Sequence, residues 1–72
     1  MQMTLGKQIK MLRTEKGLTQ AELGEILGKG GSTVRMWELD KSSPDRKALY
    51  KICEVFSVTP DYFYYNATPP EG

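Results

Sequence analysis

The sequence predicts an all-α domain of five short helices, and three observations lead to this prediction. Apolar residues recur three and four positions apart along most of the chain, which places them on one face of a helix. Residues that favour the first and last turns of helices stand at the borders of these segments. No segment shows the alternation and turn residues of paired strands. With 72 residues, 39% of them hydrophobic, the chain has enough material for one small core.

Start and stop residues set the predicted bounds of the helices. Thr4 is a suitable N-cap for the first helix. Thr19 and Glu22 have the spacing of a capping box at the start of the second. Ser43 and Pro44 supply a capping serine and a first-turn proline for the fourth. The predicted helices cover residues 4–16, 20–27, 31–39, 44–56 and 60–65.

Composition limits the classes of function. The chain has one cysteine, Cys53, and no histidine, so zinc and iron–sulfur sites and an internal disulfide are not expected. No apolar run approaches the roughly 20 residues that span a bilayer. These absences predict a cytoplasmic protein without metal, cofactor or membrane contact. Residues 1–66 are predicted to form the domain, and residues 67–72 a flexible tail or the start of a linker.

The charge of the chain is a weak indicator of its partner. The net charge of +1 is far from the strongly basic balance that by itself indicates nucleic-acid binding. Residues 29–51 contain six lysines and arginines against three acidic residues. A modest positive stripe of this kind is more often a solvated face than a binding surface.

One block of the sequence has a recognisable supersecondary pattern. QAELGEILGKGGSTVRMW, from Gln20 to Trp37, predicts a short helix, a glycine turn and a second helix, which is a helix-turn-helix. Gly24 lies where these two helices cross, and a close crossing requires a very small side chain. Gly28 ends the first of them in a left-handed conformation that costs other residues about 1 kcal/mol or more. A generic helical hairpin explains the apolar positions equally well, but not the placement of both glycines.

On these residues the chain resembles the phage-repressor family of helix-turn-helix domains, of the Cro, lambda-repressor and XRE type. The matching stretches, from about Leu5 to Tyr64, are LGKQIKMLRTEKGLTQAELGEILG, STVRMWE and SPDRKALYKICEVFSVTPDYF. The resemblance implies a compact five-helix lambda-repressor-like DNA-binding domain whose third helix enters the major groove. It also implies a bacterial or phage transcriptional regulator, with repression favoured, that binds two-fold-related half-sites of double-stranded DNA. A homodimer, at least on DNA, is expected.

The resemblance assigns base reading to the start of the third helix. Gly31, Ser32 and Met36 fall on the family's base-contacting positions, and Arg35 lies beside them. Arg35 could make either a bidentate contact to guanine or a contact to a phosphate. Met36 could rest on a thymine methyl group or be partly buried at the edge of the helix.

The resemblance also assigns phosphate contacts. Gln20 matches a glutamine that bonds a DNA phosphate, and Thr19 could act likewise, although both could equally be helix-capping residues. The loop after the third helix meets the phosphates beside the groove, and such contacts set register without setting sequence. The predicted phosphate ligands are Thr19, Gln20, Thr33, Lys41, Ser43, Arg46 and Lys47.

One pair and four departures complete the comparison with the family pattern. Arg13 and Glu38 match a buried ion pair that ties the first helix to the end of the third, and this role is favoured over DNA contact for Arg13. Lys29 stands where an apolar residue is usual, and Gly30 replaces a polar N-cap. Gly31 stands where a long polar base reader is common, and Asp40 replaces a left-handed glycine. We hypothesise that the Gly30-Gly31 pair lets the third helix lie close to the DNA backbone or become ordered only on binding.

The two alternative classes of function are protein binding and catalysis. Some domains of this fold act as antitoxins or adaptors that bind proteins, and the near-neutral charge suits that alternative. The aromatic residues 62–65 could serve such a contact, the dimer contact of a repressor, or the core. Catalysis is not expected, because the chain lacks histidine and Cys53 falls on the apolar stripe of the fourth helix.

Overall fold

The computed structural model describes residues 4–66, with side chains through residue 63, and over that range the chain is helical without strands. The prediction of an all-α, five-helix fold is confirmed. The tail predicted at residues 67–72 lies outside the described residues. No helix within residues 4–66 is long and apolar enough to cross a membrane. The helices are α1 (Leu5–Glu15), α2 (Gln20–Ile26), α3 (Gly31–Glu38), α4 (Arg46–Phe56) and α5 (Pro60–Asn66).

The helix starts follow the capping signals, with one exception. The Thr4 hydroxyl accepts from the amide of Lys7 at 3.2 Å, and Thr19 and Glu22 form the expected capping box. The prediction that Ser43 caps the fourth helix is wrong. Asp45 is the N-cap, and its carboxylate accepts from the amide of Ala48 at 2.8 Å. An aspartate caps as well as a serine and adds a negative charge at the positive end of the helix dipole, so α4 starts two residues later than predicted.

The core lies where the five helices meet. Its centre is formed by Ile9 of α1, Leu23 of α2, Val34 of α3 and Ile52 of α4, none of which is accessible to solvent. Phe63 of α5 closes one side of this cluster. Because each helix contributes a buried side chain, the position of α3 is set by packing against its neighbours. The remaining core residues are Leu12, Leu27, Trp37, Ala48, Leu49, Cys53 and Phe56.

Glycines allow α2 and α3 to touch through their backbones. A Cβ atom added to Gly24 would lie 2.8 Å from the carbonyl carbon and oxygen of Gly30, a distance that Cβ atoms do not adopt. Gly28 ends α2 with a φ of 72°, which favours glycine. The next amide, of Lys29, donates to the carbonyl of Gly24 at 2.7 Å. The turn is therefore bonded back onto α2, and α3 begins in a fixed position.

Asp40 joins the end of α3 to the start of α1. It adopts a left-handed conformation with a φ of 59°, so aspartate does occupy the position where a glycine is usual. One carboxylate oxygen accepts from the amide of Gly6 at 3.0 Å, and the other accepts from the hydroxyl of Thr4 at 2.6 Å. A side chain on Gly6 would overlap the carbonyl oxygen of Trp37. This contact holds the far end of α3 against the start of α1.

Candidate nucleic-acid interface

Helix α3 has one buried and one exposed face. Val34 and Trp37 point into the core, whereas Ser32, Arg35 and Met36 lie on the exposed side. Arg35 has no ion-pair partner among the described residues, so its guanidinium is available to a ligand. Met36 is 36% exposed, so part of its thioether side chain lies in solvent. The three side chains together offer a hydroxyl, a cation and an apolar group.

Gly31, the fourth predicted base reader, lies against α2. A Cβ atom at this position would be 3.0 Å from the Cα atom of Ala21 and 3.2 Å from its amide nitrogen. Gly30, in contrast, has open space around it, with only the hydroxyl of Ser32 nearby at 3.8 Å. Glycine at position 31 therefore has a role inside the fold, because its backbone packs against α2, whereas a side chain at position 30 would meet no obstacle. The side chains on the exposed face of α3 begin at Ser32.

The start of α2 holds the two predicted phosphate ligands Thr19 and Gln20. The Thr19 hydroxyl accepts from the amide of Glu22 at 3.0 Å, and Glu22 in turn accepts from the amide of Thr19 at 2.8 Å. The side-chain amide of Gln20 donates to Glu38 at 2.9 Å. An amide nitrogen carries two hydrogens, so Gln20 keeps a second donor for another acceptor. Thr19 is exposed and Gln20 is half-buried.

Arg13 and Glu38 are paired inside the domain. Arg13 donates from Nε to Oε2 of Glu38 at 2.5 Å and from Nη2 to Oε1 at 3.0 Å. Its third nitrogen, Nη1, donates to the carbonyl of Leu18 at 2.7 Å. The side chains are 10% and 3% exposed, respectively. The pair therefore joins α1, α3 and the connection before α2, and together with Gln20 it links the start of α2 to the end of α3.

Of the remaining predicted phosphate ligands, Thr33 lies on α3, and the others lie in the loop after α3 or at the start of α4. Thr33 is half-buried on α3, whereas the others are exposed. The loop is held in place at its first residues, because the amides of Lys41 and Ser42 both donate to the carbonyl of Met36, at 3.0 and 3.3 Å. None of the cations of this loop has an ion-pair partner in the part of the chain that the structure describes. The exposed members of the set are Lys41, Ser43, Arg46 and Lys47.

Sequence reasoning did not predict the contact between Gly6 and Asp40. Gly6 and Asp40 hold the end of α3 against α1, although neither lies on the exposed face of α3. The signal that could have found Gly6 is a glycine in the first turn of a helix, a place where glycine is costly unless another backbone approaches closely. Among the described residues, no cluster of acidic, cysteine or histidine side chains suits a metal ion.

Known proteins resemble this chain over most of its length. A helix-turn-helix family model matches residues 9–63. The chain belongs to the helix-turn-helix family. Within this family it is 37% identical over 60 residues to the HTH-type transcriptional regulator ImmR of Bacillus subtilis, which is 83% of this chain and 47% of ImmR. The chain therefore spans less than half the length of this relative.

Two solved structures contain chains with a similar fold. SinR, a master regulator for biofilm formation crystallised in complex with DNA, superposes with a TM-score of 0.75 and 30% identity. That match covers 83% of this chain and 97% of the SinR chain. The P22 c2 repressor, crystallised with a synthetic operator, has a TM-score of 0.80, with 85% and 92% of the two chains covered. At 24% identity the P22 match concerns the fold alone, and it confirms the lambda-repressor-like architecture.

Proposed function

We propose that this chain is the sequence-specific, double-stranded DNA-binding domain of a transcriptional regulator, acting as a repressor with α3 in the major groove. The observation that carries the proposal is the exposed face of α3, where Ser32, Arg35 and Met36 stand on a helix fixed at both ends. Family membership supports it. ImmR is a transcriptional regulator by name, and SinR and the P22 c2 repressor were each crystallised with DNA.

Each exposed side chain has a defined chemistry toward a base pair. Arg35 has the donor geometry for two hydrogen bonds to the N7 and O6 acceptors of guanine, a contact worth about 1–3 kcal/mol of discrimination. Met36 can cover a thymine methyl group, and Ser32 can donate or accept at several base edges. At Gly31 the Cβ position faces Ala21 of α2, so this residue can offer the bases only its backbone. Sequence preference is therefore expected to depend most on Arg35.

The phosphate contacts are proposed on both sides of α3. Gln20, with one amide hydrogen held by Glu38, has its second hydrogen available for a phosphate oxygen at the start of α2. Thr19 and Thr33 are proposed to bond phosphates beside it. Arg46 and Lys47, at the start of α4, are proposed to do so on the other side, together with Lys41 and Ser43. These contacts would orient α3 and contribute most of the salt-dependent affinity.

The proposed function also implies an oligomeric state and a cellular location. A two-fold-related operator requires two copies of the domain, so we expect a homodimer at least on DNA. Its half-sites should lie about one helical turn apart, roughly 34 Å. A repressor of bacterial or phage type works in the cytoplasm, where its operator is.

A titration with random-sequence duplex DNA at increasing salt tests the proposed function. We expect a dissociation constant of about 10⁻⁴–10⁻⁶ M at moderate salt, and a steep fall in affinity as the salt concentration rises. A domain that binds no duplex DNA at low salt would contradict the proposal and favour a protein-binding antitoxin or adaptor. Oligomeric state measured with and without the duplex in the same samples tests the dimer.

A further inference from the structure

A shallow concavity lies between the turn that precedes α3 and the first two turns of α4. Its volume is about 200 Å³. The concavity is open to solvent and has room for several water molecules, so a phosphate group can enter it. The floor contains the buried apolar residues Leu27 and Ala48, and the rim carries Lys29, Lys47 and Lys51.

The charge around this concavity is positive. Three exposed lysines face one carboxylate, that of Asp45, and no lysine of the three is ion-paired within residues 4–63. The Asp45 carboxylate is held at the start of α4 by its bond to the amide of Ala48 at 2.8 Å. Three long cationic side chains that have no partner around one concave surface are suited to an anion.

The three lysines come from rigid parts of the fold. The backbone of Lys29 is fixed by its 2.7 Å bond to the carbonyl of Gly24, two residues before α3 begins. Lys47 and Lys51 are four residues apart on α4, so they lie one above the other on the same helix face. We call Lys29, Lys47 and Lys51 the lysine cradle.

We propose that the lysine cradle binds a phosphate of the DNA backbone beside the groove that α3 enters. This inference rests on the proposed function and adds Lys29 and Lys51 to its phosphate ligands. The apolar floor of Leu27 and Ala48 suits the carbon atoms of a deoxyribose, and the cationic rim suits the phosphate attached to it. The departure of Lys29 from the apolar residue usual at this position then has a function in binding.

The double variant Lys29→Gln with Lys51→Gln tests the lysine cradle in the whole chain. Its affinity for a random-sequence duplex is measured over a range of salt concentrations, and its thermal melt is recorded to show that the fold is intact. Loss of one phosphate contact makes the slope of log K against log salt less negative by about 0.9. We expect that change in slope, with an affinity about tenfold lower at moderate salt.

Two further variants separate an effect at the concavity from a general effect of charge. Lys10→Gln removes one exposed cation from α1, outside the concavity, and is expected to leave the slope unchanged. Asp45→Ser keeps a capping oxygen for α4 but removes the carboxylate from the rim, so a few-fold tighter binding is expected. If Lys10→Gln changes the slope as much as the double variant does, the effect is general electrostatics and the lysine cradle is refuted.

The same phosphate chemistry could come from a free anion, and a second titration separates the two sources. Inorganic pyrophosphate is added to the wild-type protein without DNA while amide chemical shifts are followed by NMR. Saturation at micromolar pyrophosphate with shifts centred on Lys29 and Lys51 would assign the concavity to a small anionic ligand and overturn the DNA assignment. An unchanged salt slope in the double variant would overturn the role of the lysine cradle in DNA binding and leave the proposed function intact. A wild-type protein that binds no DNA would overturn both.

Discussion

Replacement of Arg13 by alanine is expected to destabilise the domain severely. The guanidinium makes three hydrogen bonds, two to Glu38 at 2.5 and 3.0 Å and one to the carbonyl of Leu18 at 2.7 Å. The Glu38 side chain is only 3% exposed, so without Arg13 its charge stays buried, with the amide of Gln20 as its remaining partner. A buried charge left without its counter-charge costs about 3–5 kcal/mol. A chain of 72 residues has about 4–11 kcal/mol of stability in total.

Thermal and urea unfolding, followed by circular dichroism, measure this loss. In a domain of this size 1 kcal/mol corresponds to a change in Tm of about 4–8 °C, so a fall of at least about 12 °C is expected. The double variant Arg13→Met with Glu38→Leu is the matched control. Because it removes both charges, its stability is expected to remain close to that of the wild type. The reasoning is refuted if Arg13→Ala costs less than about 1 kcal/mol, or if the double variant is as unstable as Arg13→Ala.

Further predictions concern the α2–α3 contact and the buried thiol. Gly24→Ala should cost about 1–3 kcal/mol in urea unfolding, because its Cβ would force α2 and α3 apart; wild-type stability would contradict the close crossing. Gly30→Ser should add about 0.5–1 kcal/mol through a new cap and a less flexible unfolded chain. Gly31→Ala should not show the gain of about 1 kcal/mol expected from helix propensity, because Ala21 lies 3.0 Å from the added Cβ. Burial raises the pKa of the Cys53 thiol above its ordinary value of 9.0. The folded state therefore keeps this proton when the unfolded state loses it, and stability should fall as the pH rises past about 9. The Cys53→Ala variant should lose less stability over this pH range than the wild type does. If the unfolding free energies of the two proteins change in parallel with pH, this prediction is refuted.

Local signals in the sequence accounted for most of the fold. The capping box of Thr19 and Glu22 and the apolar spacing act within a few residues, so the positions of the helices follow from the chain itself. The start of α4 was not predicted correctly from the sequence. Ser43 and Asp45 both offer a capping oxygen near the same place, and the sequence pattern did not separate them, whereas the structure has Asp45 bonded to Ala48.

The candidate site was less completely predictable, since its geometry depends on contacts between distant parts of the chain. Sequence reasoning placed Gly31 on the exposed face of α3, but could not detect Ala21 of α2 packed against it. Asp40 was identified only as a substitute for glycine, and its bond to Gly6 on α1 spans 34 residues. The concavity beside Lys29 likewise exists only because α4 packs next to the turn.

In vitro selection on randomised duplexes, performed with the wild type and with Arg35→Ala, tests most directly whether the exposed face of α3 reads DNA. The wild type is expected to enrich one sequence with two related half-sites about 34 Å apart. Arg35→Ala should still bind duplex DNA but lose preference at the base pairs that Arg35 contacts. A wild-type pool that stays random, or an identical selected sequence for both proteins, would contradict the account.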